Sequence, residues 1–283
     1  MGKPFLTYED DDEEDEHNLS AKAWMEAARK ALEGHDIDSA SLEAALKRIC
    51  DLRRPAFKPN CEPAPEDGLG LLESKIGGLP YLTPHEAWPT ADGCPLAHLW
   101  QQRVGELPLA VQEALGHCRG LLQVFVLETL DQDGDGSWYL VRVLGEEQLA
   151  PRPRSEVAQA LPAELELLDE HRVCSYSRSY DFPVLDDLLS ELTPQLDPDV
   201  VADVVNGLQE ANLYRTLSGD KLLGWPNWCQ GPEWCEDERR RRFTQIVQIE
   251  GSVVDFPVGD SGTLLLQRHP EQRNLWAASW ACC

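Results

Sequence analysis

The stretch Lys75-Ile76-Gly77-Gly78-Leu79-Pro80-Tyr81-Leu82 has a counterpart later in the chain, Lys221-Leu222-Leu223-Gly224-Trp225-Pro226-Asn227-Trp228. The same gap-free alignment pairs Trp88 with Trp234. Each copy then continues through an apolar stretch into two strand-like segments. A repeat of this kind predicts a duplicated fold, and the seam between two such halves is a common place for a ligand or a partner.

Segments with strand-like composition dominate from residue 69 onward, whereas helical spacing of apolar residues is confined to the first part of the chain and to the region between the copies. This distribution predicts an α+β, β-rich fold. Its body is an internally duplicated antiparallel β structure of two pseudo-symmetric halves. Peripheral helices and an N-terminal helical extension complete it.

Three regions follow from composition. Residues 1–17 contain an unbroken acidic run and are predicted to be a disordered tail. Residues 18–68 predict a helical hairpin followed by a proline-rich linker from 54 to 68. Residues 69–283 form the duplicated domain.

Within that domain, repeat A covers about residues 69–144 and repeat B about 219–283. The insert between them, 145–218, predicts helices over 155–168, 184–192 and 198–208 because apolar residues recur there at helical spacing.

The formal net charge of −25 is the most unusual property of the composition. A body this acidic repels phosphate backbones, which argues against nucleic-acid binding. The same charge attracts basic proteins and speeds their association, so a basic protein partner is expected. The alternative is that the charge serves only solubility.

No apolar run is long enough to cross a bilayer, so no membrane role is expected. The nine cysteines are odd in number and lack the spacing of a disulfide framework or a zinc site. We therefore expect a cytoplasmic protein without a metal or a cofactor.

The repeated motif supplies most of the candidate binding residues. A Gly-x-Pro step suits a tight entry into a strand, and Trp88 and Trp234 could cover one face of each sheet. Lys75 and Lys221 could instead face one another across the seam and bind an anion or a carboxylate-bearing peptide. Trp225, Trp228 and Trp234 lie in a Gly- and Pro-rich loop, where an exposed aromatic side chain often marks a binding surface.

Two motifs suggest chemistry that their surroundings do not support. Gly259-Asp260-Ser261-Gly262 spells the sequence around a trypsin-type nucleophile, but the required upstream His and Asp are missing. We interpret it as a turn in which Asp260 bonds the backbone, and we keep Asp260 as a candidate binding residue.

Asp131–Gly136 begins like an EF-hand loop, yet Arg142 stands where a bidentate Glu is required. We predict no catalytic residue and no metal ligand.

Several segments, in the same order, resemble the YwqG-like family, a bacterial family of uncharacterised function. They are Ser74–Tyr81 with Trp88-Pro89, Gly120–Phe125, Asp220–Pro226 with Gln230, and Gly259–Gly262. The resemblance covers about residues 69–283. It implies a single β-rich domain built from two related antiparallel halves, and it implies no reaction.

Three functions remain open at this stage. The first is a non-catalytic protein-binding role, in its sharpest version an acidic immunity-type protein that neutralises a basic toxin. The second is a small-molecule or glycan binding module that uses the cleft between the repeats. The third is an enzyme of unknown reaction whose groups, drawn from His85, Glu86, Asp260 and the cysteines, meet only in the fold.

Overall fold

A computed structural model of the chain describes residues 18–127, 138–192, 196–254 and 262–281. The predicted acidic tail, the Asp131–Gly136 motif and the candidate Asp260 lie outside these residues.

The α-helices of the described chain are short to medium in length. They are α1 (Ala21–Ala31), α2 (Ser39–Asp51), α3 (Leu109–Ala114), α4 (Arg154–Ala158), α5 (Leu185–Leu192) and α6 (Pro198–Glu210), with 3-10 turns at Val104–Glu106 and Glu146–Gln148. The predicted hairpin is confirmed as α1 and α2, with Ser20 capping the first helix. None of the helices in the described ranges is both long and apolar enough to cross a membrane.

The described strands form one ten-stranded antiparallel sheet and a two-stranded ribbon. They are β1 (Arg54–Pro63), β2 (Lys75–Ile76), β3 (Thr90–Ala91), β4 (Cys94–Pro95), β5 (Ala97–Arg103), β6 (Leu121–Val126), β7 (Tyr139–Leu144), β8 (His171–Asp181), β9 (Lys221–Leu223), β10 (Thr244–Ile249), β11 (Thr263–Arg268) and β12 (Trp276–Ala281). The order in the large sheet is β12-β11-β10-β9-β1-β8-β2-β5-β6-β7, and β3 pairs with β4. The predicted β-rich fold is confirmed.

The order of strands is the same on both sides of the central pair, β1 and β8. Going outward, one side has β2, β5, β6 and β7, and the other has β9, β10, β11 and β12. The ladder register shifts between His98 and Trp100 in β5 and between Gln245 and Val247 in β10. The two copies of the motif therefore begin strands at corresponding positions of the sheet.

Two segments at the centre of the sheet contradict the sequence-based prediction. The supposed linker contains β1, and the supposedly helical insert contains β8, which pairs with β1 along ten positions. Pro55 and Pro59 lie an even number of residues apart, so their missing N–H groups fall on the same edge of β1. That edge tolerates prolines because β9 pairs with it only at Ala56 and Phe57.

The helical prediction for the insert is confirmed for α5 and α6 and wrong for residues 155–168. There α4 ends at Ala158 and a turn follows at Gln159 and Ala160. The helix does not extend through Leu161, because the residue preceding a proline is pushed out of the helical conformation.

The sheet is strongly curved, so its edges meet. The hydroxyl of Tyr139 in β7 donates to the carbonyl of Trp276 in β12 at 3.2 Å. The largest apolar cluster, with Trp100, Ile246 and Leu264 among its members, fills the concave side and draws on both halves of the sheet. A second cluster joins α1, α2, α5 and α6 through side chains such as Trp24 and Leu208. The N-terminal hairpin is thus packed on the insert helices.

Candidate functional site

Both lysines of the repeated motif are completely buried and paired with carboxylates. The Nζ of Lys75 lies 2.9 Å from Glu170 and also donates to the carbonyl of Gly70. The Nζ of Lys221 lies 2.8 Å from Asp181 and also donates to the carbonyl of Leu217. Burial lowers the pKa of each lysine and raises that of Asp181. The two ammonium groups are each occupied by protein acceptors, which favours a structural role over the predicted anion site.

Trp88 and Trp225 are also parts of the interior. The indole N–H of Trp88 donates to the carbonyl of Leu96, and that of Trp225 donates to Leu52. Trp88 is nearly buried, and no part of Trp225 is exposed. The expectation that Trp225 would be an exposed loop aromatic is wrong, because the positive-φ Gly224 turns the chain inward at this point.

Trp228 and Trp234 are half-buried and share one acceptor. Their indole N–H groups donate to the two oxygens of Asp187, at 2.7 and 2.8 Å. Asp187 is completely buried in the first turn of α5. Trp234 meets the rings of Trp228 and Trp225 edge to face, with centroids 5.5 and 5.9 Å apart. We refer to Trp225, Trp228 and Trp234 as the tryptophan cluster.

Arg54, the first residue of β1, lies against this cluster. Its guanidinium carbon is 3.4 Å from the ring centroid of Trp225 and 6.0 Å from that of Trp234. Burial against these walls lowers its pKa, although the nearby carboxylates Glu191 and Asp187 oppose the shift. Part of the side chain remains exposed, and it makes no hydrogen bond or ion pair with any described residue. Arg54 is therefore an available cation.

A cavity opens beside Arg54 where the sheet lacks a strand. β9 pairs with β1 only at Ala56 and Phe57, and with β10 only at Val247 and Gln248. β1 and β10 both continue past the end of β9, and the space between them forms a cavity of about 360 Å³. We call this cavity the slot. It is lined by Arg54, Pro55, Ala114, Glu191, Leu223, Gly224, Trp234, Arg242, Phe243, Thr244 and Gln245.

Gln245, one of the residues that line the slot, has a buried side-chain oxygen without a partner among the described residues. Its side chain is buried, and its Nε2 donates to the carbonyl of Val247 at 2.7 Å. Its Oε1 has no hydrogen-bond partner among the described residues. A buried amide oxygen is normally hydrogen-bonded, and a donor from a water or a ligand would satisfy this one.

The other charges at the slot are already engaged. Arg242 pairs with Glu191 at 2.6 Å and approaches Glu236 at 3.7 Å. Its guanidinium also lies 5.6 Å from the ring centroid of Trp234. Within the described part of the chain, the slot therefore has one unpaired cation, one unpaired acceptor and apolar walls. These features suit a ligand that carries an anionic group and an N–H donor.

Several ionisable groups elsewhere in the described ranges are buried or already bonded. His269 is completely buried, with Nε2 near Asp237 and Nδ1 accepting backbone N–H groups. Burial lowers the pKa of His98 to about 3 and raises that of Cys61 to about 12. Glu86 is bound by Arg142 and Thr83. No group of His, Cys, Asp and Glu in these ranges could hold a metal ion.

The residues that sequence reasoning missed are Arg54, Asp187 and Gln245. Arg54 stood in the supposed linker, and Asp187 was one of several acids of an amphipathic helix. The sequence pointed to them only indirectly, through the candidates Trp225, Trp228 and Trp234. Arg54, Asp187 and Gln245 lie around these tryptophans.

Comparison with known proteins gives a family but no activity. Residues 74–271 match the family described as Domain of unknown function (DUF1963). No curated protein matches the chain significantly.

Proposed function

Since the chain belongs to the DUF1963 family, whose function is unknown, we propose from the geometry that it is a non-catalytic binding protein. Its ligand site is the slot, and its ligand carries a carboxylate that binds Arg54. The observation that supports this proposal is the guanidinium of Arg54, stacked on Trp225 without an ion-pair partner among the described residues.

Arg54 is well suited to hold a carboxylate. Its planar guanidinium presents paired N–H donors that match the two oxygens of a carboxylate. Stacking on Trp225 fixes the plane of the group, so less conformational freedom is lost when a ligand binds. The aromatic rings cover one side of the guanidinium, where they lower the local dielectric and strengthen the interaction. A protein with a net charge of −25 would otherwise repel anions, so a cation at the slot that has no ion-pair partner among the described residues favours an anionic ligand there.

The test is a titration with benzoate, monitored by tryptophan fluorescence and by calorimetry. Benzamide, which has a similar shape and no charge, is the control ligand. We expect saturable binding of benzoate, weak binding of benzamide, and loss of benzoate binding in Arg54→Met. Arg29→Met, at an exposed position on α1, is the matched control and should bind like the wild type. Equal benzoate affinity in wild type and Arg54→Met would refute the proposal.

A second candidate function rests on the charge of the insert helices. Residues 184–211, which contain α5 and α6, hold no Lys or Arg. Their exposed acids are Asp186, Asp197, Asp199, Asp203 and Glu210. These acids support the proposal that the chain binds a basic protein partner. The most specific version of this proposal is a cytoplasmic immunity-type protein that neutralises a basic toxin.

Co-purification from the host lysate at low and high salt tests this second function. We expect one stoichiometric basic protein that is released by salt and lost in the double variant Asp199→Lys/Asp203→Lys. Recovery of the chain alone at both salt concentrations would rule it out.

We also propose that the two halves arose by internal duplication, as in the YwqG-like family. The identical outward strand order supports this origin. So do two equivalent glutamines. Gln101 donates to the carbonyls of Leu71 and Glu73, and Gln248 donates to those of Leu217 and Gly219.

A further inference from the structure

We propose that the ligand of the slot is the carboxyl-terminal end of a polypeptide chain, bound in an extended conformation. This inference rests on the proposed carboxylate site at Arg54 and adds the chemical class of the ligand.

The first argument is the width of the slot. β1 and β10 both flank β9, so their backbones are separated by two strand spacings, about 9–10 Å. Beyond Leu223 the chain leaves this position, while Arg54 and Pro55 continue β1 and Thr244 and Gln245 continue β10. A gap one strand wide between two strands accepts an extended chain, since both flanking backbones face it.

The second argument is the placement of polar groups. Arg54 lies on the β1 side of the slot and Gln245 on the β10 side, and neither the guanidinium nor Oε1 has a partner among the residues that the structure describes. A chain end supplies both complements, because its α-carboxylate is an anion and its last peptide groups carry N–H donors. A simple carboxylic acid supplies only the first.

The third argument separates a chain end from a free dipeptide. A free dipeptide also carries an α-ammonium group, which needs an acceptor in a partly buried site. Glu191 is the only carboxylate that lines the slot among the described residues, and Arg242 already occupies it at 2.6 Å, so an α-ammonium group would find only the neutral amide oxygen of Gln245. Leu223, Trp234 and Phe243 form apolar walls, so an apolar last side chain is favoured. At about 360 Å³ the slot is small and holds only the last few residues.

The experiment compares four probes by calorimetry: acetyl-Ala-Leu, acetyl-Ala-Leu-amide, free Ala-Leu and benzoate. We expect acetyl-Ala-Leu to bind about tenfold or more tightly than each of the others, because only it satisfies both polar groups without an added charge. Arg54→Met should abolish the preference for the acid over the amide. Gln245→Leu should weaken the binding of acetyl-Ala-Leu and leave the binding of benzoate unchanged. The control Gln159→Leu, at an exposed position, should change neither affinity.

The outcomes distinguish this inference from the function on which it rests. Benzoate binding that depends on Arg54, with acetyl-Ala-Leu no tighter, would overturn the peptide inference and leave the carboxylate site intact. If free Ala-Leu binds as tightly as acetyl-Ala-Leu, the inference of a chain end is overturned and the ligand is a free dipeptide. Absence of any binding that depends on Arg54, in a variant whose circular dichroism matches the wild type, would overturn both.

Discussion

The ammonium group of Lys221 lies 2.8 Å from the carboxylate of Asp181, and both side chains are completely buried. Asp181 ends β8, and Glu170, which immediately precedes β8, holds the corresponding Lys75 in the same way. One central strand therefore carries, at its two ends, the counter-charges for both copies of the motif. These contacts tie the insert between the copies to each half of the sheet.

Replacing Lys221 by Met should strongly destabilise the protein. Asp181 would remain buried without its counter-charge, and removing one member of a buried ion pair costs about 3–5 kcal/mol. The free energy of unfolding, measured with urea, checks this expectation. Lys22→Met on the exposed face of α1 is the control and should change that energy by less than about 0.5 kcal/mol. A similar small change in Lys221→Met would contradict the prediction.

Stability should decrease in acid partly through Glu170. Burial alone would raise its pKa, but the hydrogen bond from Arg154 and the charge of Lys75 outweigh burial and hold the pKa below its ordinary value of 4.5. A carboxyl with a lowered folded-state pKa stabilises the fold above its unfolded pKa, and this contribution is lost as the pH falls through the folded pKa.

Urea unfolding between about pH 5.5 and 3.5 measures this contribution. The free energy of unfolding should fall less steeply with decreasing pH in Glu170→Gln than in the wild type. The exposed Glu66→Gln should keep the wild-type slope. An unchanged slope in Glu170→Gln would show that this carboxylate is not responsible.

Asp187→Asn should loosen the tryptophan cluster. The carboxylate accepts one indole N–H on each oxygen, whereas an asparagine has only one oxygen and turns an NH₂ toward the second indole. We expect a loss of about 1–3 kcal/mol in the free energy of unfolding and a changed near-UV circular dichroism. The neighbouring exposed Asp186→Asn is the matched control. Equal effects of the two substitutions would refute the role given to Asp187.

Gly224→Ala should cost more than Gly93→Ala, although both glycines have positive φ, 75° and 82°. The strain of this conformation, about 1 kcal/mol, applies to both. A methyl group at Gly93 would meet open space, whereas at Gly224 it would clash with Asp181 and lie 2.9 Å from Cβ of Ala56. Thermal unfolding of the two variants isolates the packing contribution, and equal melting temperatures would contradict the expected clash.

Cys61 should be far less reactive than Cys94 toward thiol reagents at neutral pH. Burial raises the pKa of Cys61 to about 12, so its thiolate is scarce, while Cys94 is exposed. Timed alkylation followed by peptide mass spectrometry compares the two rates. Faster modification of Cys61 in the native protein would show that the residue is more accessible than the structure indicates.

Local patterns predicted the elements that depend on neighbouring residues. The helical hairpin, α5 and α6 follow from apolar spacing and capping, and the strand-like segments that follow each copy of the motif are β6, β7, β11 and β12. The expectation that the Gly-x-Pro step leads into a strand is wrong, because the short strands β2 and β9 come before it and the chain leaves the sheet after them. The central strand β1 was missed because its prolines are typical of a linker when they are read alone. They fit a strand only because β9 leaves most of one edge of β1 uncovered, which no local pattern reveals.

The sequence by itself determined the strand segments of the two copies, the strong negative charge and the place of the tryptophans beside the second motif. Only the tertiary structure decided that the two lysines are buried in ion pairs and that the guanidinium of Arg54 lies on Trp225. The reason is physical: periodicity and capping act between near neighbours, whereas burial and charge pairing depend on residues such as Arg54 and Trp225 that are distant in the chain. The slot exists because β9 ends before its two neighbouring strands do, and the length of one strand relative to another is set by the assembled sheet.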